Sequence, residues 1–105
     1  MKEKDNYEIV FCVVNSGFSE TVMEAAKSAG ARGGTIMNGH GTANKEAEET
    51  FGISVQTEKE VVMIIVPTEI KDAVLKALYQ EVGLNSPGQG IAFSLPISRA
   101  VGLVK

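Results

Sequence analysis

Five glycines fall between Lys27 and Thr42, at positions 30, 33, 34, 39 and 41, and they shape the backbone before any side-chain chemistry is considered. Such a run does not continue a helix. It predicts a helix stop at Gly30 followed by a weak, edge or bulged strand over 33–41. A second glycine cluster, Ser86-Pro-Gly-Gln-Gly90, opens the last apolar run. Two donor-rich loops at equivalent places in two β-α-β halves suit the sensing of a small molecule or phosphate better than turnover.

The rest of the chain fills in around those stops. Tyr7 to Val14 is short, β-branched and aromatic, and is bounded by the turn signal Asn15-Ser-Gly17, which predicts a buried strand. Ser19 is the expected N-cap of a helix carrying Val22, Ala25, Ala26 and Ala29 on one small-residue face. Glu58 to Val66 predicts a central strand, continuously apolar over Val61–Val66 and closed by Pro67. Thr68 is the expected cap of a second helix with Ile70, Val74, Leu75, Leu78 and Val82 on one stripe, ending at Gly83. Ile91 to Val101 alternates Ile91, Phe93, Leu95 and Ile97 against Ala92, Ser94, Pro96 and Ser98, as in a strand with one buried face; Pro96 marks an edge or a bulge.

That order, with right-handed crossovers, predicts an α+β domain of the ferredoxin-like βαββαβ plan: a four-stranded antiparallel sheet with two helices on one face. At 105 residues the chain has room for one domain, 1–105, with an N-terminal tail over 1–6 and a long polar segment over 42–56. Strands 1 and 3 are apolar on both faces, so the sheet's uncovered face predicts an oligomer.

Composition excludes several classes. A net charge of −3 argues against nucleic acid or an anionic membrane surface as partner, and no apolar run is long enough to span a bilayer, so a cytoplasmic location is expected. Cys12 lies in an apolar run and reads as a small buried hydrophobe rather than a reactive thiol. No nucleophile–base pair and no histidine or cysteine set at ligand spacing is present, so neither an enzyme nor a metal protein is expected. Glu46, Glu48 and Glu49 read as a solvated face. His40, between two glycines, is either a donor to a ligand or an exposed loop residue. Arg32 and Arg99 are each either a cation of the cleft or a surface charge, the former reading being favoured for Arg99.

Three stretches carry a family resemblance spanning nearly the whole chain: AGARGGTIMNGHG over 29–41, EKEVVMIIVP over 58–67 and GQGIAFSLPISR over 88–99. In order and spacing they resemble the PII signalling family, small trimeric regulators that bind adenine nucleotides between subunits. The resemblance implies a homotrimer in which Gly39, His40, Gly41 and Thr42 at the root of the long loop meet Gly88, Gln89, Gly90 and Arg99, with ADP, AMP or ATP as effector. It also implies a protein target, an enzyme or transporter, contacted through the 42–56 loop. Ile91, Gly102 and Val104 stand where classical members carry phosphate-binding cations, which counts against tight triphosphate binding and marks a divergent member. The loop has no tyrosine, which excludes uridylylation there. The alternatives are a trimeric structural or interaction module that binds no nucleotide and, less favoured, a CutA-like metal-tolerance protein or a small enzyme.

Overall fold

A computed structural model describes residues 6–42 and 57–103. Its elements run β1 (Tyr7–Asn15), α1 (Ser19–Ser28), β2 (Thr35–His40), β3 (Glu58–Pro67), α2 (Thr68–Val82) and β4 (Ile91–Pro96). The four strands form one antiparallel sheet in the order β2-β3-β1-β4, with both helices on one face. This is the ferredoxin-like plan that the pattern of strands and helices predicts.

The register explains why strands 1 and 3 are apolar throughout. Tyr7 pairs with Pro67 and Asn15 with Lys59, so β1 and β3 lie side by side at the centre over their full length. On the helical face Val10, Cys12, Val14, Val62, Ile64 and Val66 are fully buried against Val22, Ala25, Ala26, Val74, Leu78 and Val82. The small residues Ala25 and Ala26 of α1 are buried in this layer beside Val22.

Four local expectations are corrected. β2 starts at Thr35 rather than Gly33, and its pairing with β3 is unbroken from Thr35↔Met63 to His40↔Glu58, so it is an edge strand without a bulge. β4 stops at Pro96, not Val101, because Pro96 cannot donate to a ladder; the Ile97 N–H then bonds the Tyr7 carbonyl. Ser19 and Thr68 are the first helical residues rather than caps, and neither helix has a side-chain cap from its own N-terminal neighbour. The α1 terminus is satisfied from across the sheet instead: the N–H of Gly17 and the N–H and hydroxyl of Ser19 donate to the Glu60 carboxylate at 2.7, 3.3 and 3.3 Å.

The fourth correction concerns β4, whose apolar alternation does not face the helices. Ile91, Phe93 and Leu95 lie on the uncovered face, 55, 45 and 51% exposed, while Ala92 and Ser94 face α2. Phe93 stacks on Phe11 across the ladder, with ring centroids 5.4 Å apart. Met37 on β2 continues this surface at 42% exposure. The chain alone leaves a broad apolar sheet face open.

Candidate functional site

The predicted loops share one end of the sheet. The C-terminal ends of β1 and β2 and the N-terminal ends of β3 and β4 meet there, which places Asn15, His40, Glu58 and Gly90 in one region. Gly39, His40, Gly41 and Thr42 nevertheless lie at the β2 edge and Gly88, Gln89 and Gly90 at the β4 edge. Three strand spacings separate them, about 14 Å. One protomer does not bring the two groups into contact. Of the predicted 42–56 loop only Thr42 is described; residues 43–56 lie outside the described residues, as do 1–5 of the tail.

A polar row fills the gap between the two edges. Gly39 pairs with Lys59, and Lys59 pairs with Asn15, on the uncovered face of the sheet. The Lys59 ammonium donates to Asn15 Oδ1 at 2.6 Å. Asn15 Nδ2 donates to the Pro87 carbonyl at 3.0 Å and to Gln89 Oε1 at 3.3 Å, and the Asn15 N–H donates to the Gly88 carbonyl at 2.9 Å. Asn15 is only 6% exposed, so these bonds satisfy a buried amide. Its orientation follows from its partners: lysine can only donate and a carbonyl can only accept. The lysine has three donors and spends one on Asn15 among the described residues, which leaves it able to hold an anion.

The glycines at this end serve packing first. A Cβ on Gly90 would strike the Val82 carbonyl and approach Val14, and the Gly90 N–H is bonded to that same carbonyl. The Gly41 N–H donates to Thr57 at 2.6 Å and the Gln89 N–H to Ser86 at 3.0 Å. Three of the backbone donors that the sequence offered to a phosphate are therefore engaged within the chain. Gln89 has φ of +46°, the one non-glycine residue with positive φ among those described. His40 Nδ1 lies 3.6 Å from Glu58 Oε1, and both side chains are exposed, so this cross-strand pair at the loop root contributes little.

A cavity of about 520 Å³ opens at the other end of the sheet. Tyr7, Thr35, Met63, Ile65 and Pro67 of the strands line it, with the Gly30–Gly34 turn as one wall and Ile70 and Leu103 completing the lining. Gly34 permits that wall: a Cβ there would lie 2.8 Å from the Met63 carbonyl and 3.1 Å from Met23 Sδ. Arg32 stands at the lining, while Arg99 is exposed beyond β4, a strand length of about 17 Å from the glycine loop. Of the two arginines weighed in the sequence, the weaker candidate lines the cavity.

Sequence reasoning missed Lys59, Asn15, Tyr7, Met63, Ile65 and Leu103. Asn15 read as a turn residue and Lys59 as the charged start of a strand. Strand alternation was the available signal, since Lys59 falls on the face opposite to buried Val62 and Ile64. Nothing local links Tyr7 to Leu103.

Cys12 is buried on the helical face, and burial pushes its thiol up to about 11, which keeps it protonated and unreactive at neutral pH. Among the described residues no three His, Cys, Asp or Glu side chains converge on a metal site. No helix among them is long and apolar enough to cross a membrane.

Solved structures of similar fold include a PII-like signaling protein of Thermus thermophilus, 21% identical with a TM-score of 0.67 over 88% of this chain and 86% of that one. GlnK of B. subtilis in complex with ATP is 21% identical with a TM-score of 0.63, covering 89 and 83%. CPII of Thiomonas intermedia, bound to ADP, AMP and bicarbonate, is 14% identical with a TM-score of 0.63, covering 91 and 97%. No curated protein sequence matches the chain. The sequence model described as "Nitrogen regulatory protein P-II" matches residues 8–104, nearly the full length, and so the chain belongs to the P-II family.

Proposed function

We propose that this protein is a regulator that binds an adenine nucleotide or another small anionic metabolite between three copies of the chain. Occupancy is signalled through the 42–56 segment to a protein target. One observation carries the reading: the open sheet face is apolar at its centre, ends in a cavity at one end, and ends in the Lys59–Asn15–Gln89 row at the other. Neither end is a complete site alone. Packing of open faces buries Phe11, Phe93, Ile91 and Leu95 and can set one copy's glycine loop beside a neighbour's site residues. The apolar cavity suits a planar ring, and Arg32 and Lys59 supply cations. The solved relatives that hold ATP in one case, and ADP, AMP and bicarbonate in another, support this ligand class. Action is by binding rather than turnover, and a cytoplasmic location follows from the same reading.

Ile91, Gly102 and Val104 in place of cations set the preference. Each missing charge-assisted contact removes about 1.5–3 kcal/mol, so the outer phosphates gain little and AMP and ADP bind at least as well as ATP. Calorimetry with the three nucleotides and bicarbonate, with and without magnesium, alongside the mass in solution, tests this. Saturable binding near one ligand per subunit of a trimer is expected; a stable monomer would sink the cleft.

A second reading is favoured by the donors already spent at Gly41, Gln89 and Gly90. In it the glycine loops serve assembly only, and a clean trimer that binds none of these ligands would establish it.

A further inference from the structure

We propose that Asn15 is a positioning residue that couples Lys59 to the Gly83–Gly90 loop, so that an anion drawing on Lys59 reshapes the loop at the far edge of the sheet. The inference rests on the ligand reading above for its trigger, but its mechanics stand on this chain's own contacts.

Three observations make the row a relay rather than a chance contact. The first is that Asn15 is saturated from both sides: the ammonium of Lys59 at 2.6 Å on its oxygen, Pro87 and Gln89 on its nitrogen. The second is the parallel backbone tie, in which the Asn15 N–H holds the Gly88 carbonyl at 2.9 Å. The third is conformational: Gln89, which receives the side-chain bond, has φ of +46° where glycine is the natural occupant. A residue in that region persists only where surrounding contacts hold it. Here those contacts are the Gln89 N–H to Ser86 and the Gln89 side chain to Asn15.

The physical sequence is short. Lys59 lies opposite Gly39 in β2, and its side chain passes within 3.1 Å of where a Gly41 Cβ would be, so it reports on the root of the long loop. An anion at that root competes with Asn15 for the ammonium. Asn15 Oδ1 then loses a charge-assisted partner while buried, and the amide rotates or shifts to recover one. Its hold on Pro87 and Gln89 weakens, and Gln89 is released from its left-handed backbone. By reciprocity, any partner that pins the glycine loop alters the affinity for the anion by the same factor.

The experiment begins without ligand. In the full-length protein, the amide exchange of Asn15, whose N–H is held by Gly88, and of Gln89, held by Ser86, is compared between wild type, Lys59→Met and a distant exposed control, Lys76→Met. The relay predicts exchange about tenfold faster in Lys59→Met and unchanged in the control. Asn15→Asp keeps an acceptor for Lys59 but cannot donate to Pro87 or Gln89, and it is expected to match Lys59→Met at the loop with Lys59 still held. Gln89→Gly removes the left-handed cost and is expected to make the loop insensitive to Lys59→Met. Loop exchange that is the same in Lys59→Met and wild type overturns the coupling, whatever the nucleotides do. Addition of ADP to wild type is expected to reproduce the Lys59→Met pattern. If ADP does not bind while the exchange effect is present, the ligand reading falls and the coupling stands.

Discussion

The two faces of this sheet are built from the same strands and nearly the same residue types, yet one is closed and the other open. On the helical side Val10, Cys12, Val14, Val62, Ile64 and Val66 lose all contact with solvent. On the other, Met37, Ile91, Phe93 and Leu95 keep between 42 and 55% of theirs. The difference teaches that apolar alternation specifies a buried face without saying what buries it. Two helices cover the first face within the chain. Only another surface can cover the second, and the polar row and the cavity at its ends are where such a surface acquires chemistry.

The sharpest way to break the comparison is to charge the open face and hollow the closed one. Phe93→Lys places an ammonium where neighbouring copies would bury it, and an unpaired buried charge costs several kcal/mol in each copy. The variant is expected to keep its fold by circular dichroism and to fall to monomer mass in sedimentation, whereas a trimer of undiminished stability would show that the open face is not the contact. Ile64→Ala does the reverse. It removes a fully buried side chain beneath both helices and is expected to cost about 2–5 kcal/mol in urea denaturation. If the two substitutions had like effects on fold and mass, the division of labour between the faces would be wrong.

Cys12 reads the dryness of the closed face through its proton. Its thiol is raised by desolvation from 9.0 to about 11, so the folded state holds the proton more tightly than the unfolded chain. The stabilisation is complete below pH 9 and is lost as pH rises through 11. A two-unit shift corresponds to about 2–3 kcal/mol over that window. Subtracting the stability profile of Cys12→Ala from that of wild type removes the tyrosine and lysine titrations the two share. The difference should fall between pH 9 and 11; a flat difference would mean that water reaches the thiol.

The split between faces also explains what could be read from the sequence. Val61–Val66 and the Ile70–Val82 stripe are local patterns with periods of about two and 3.6, and they gave strand, helix and topology correctly. The caps were misread because the residue that caps α1 is Glu60, 41 positions from Ser19. The polar row was not legible for the same reason: Lys59 and Asn15 are 44 positions apart and meet only through β-pairing. Gly90 was read as a phosphate donor, although its hydrogen is held by Val82 and its bare Cα is needed for packing. A glycine's need for space and its capacity to bind look identical in one dimension.

The smallest effect comes from the point where the faces meet, at two successive residues of β3. Alternation turns Glu60 toward the helices, where it caps α1, and Lys59 toward the open side, where it meets Asn15. Glu60→Ala removes a carboxylate acceptor for three donors at a helix N-terminus and is expected to cost about 0.5–2 kcal/mol, with Glu60→Gln losing less because an acceptor oxygen remains. Both are read as urea midpoints. Neither should alter the mass in solution, since Glu60 faces away from the assembling surface. Lys59→Met acts on the other side: it leaves the buried Asn15 Oδ1 without its charge-assisted partner and is expected to lower the midpoint by a comparable amount, about 1–3 kcal/mol. Were Glu60→Ala to leave the midpoint untouched, α1 would not depend on this cap, and the charged start of β3 would serve the open face alone.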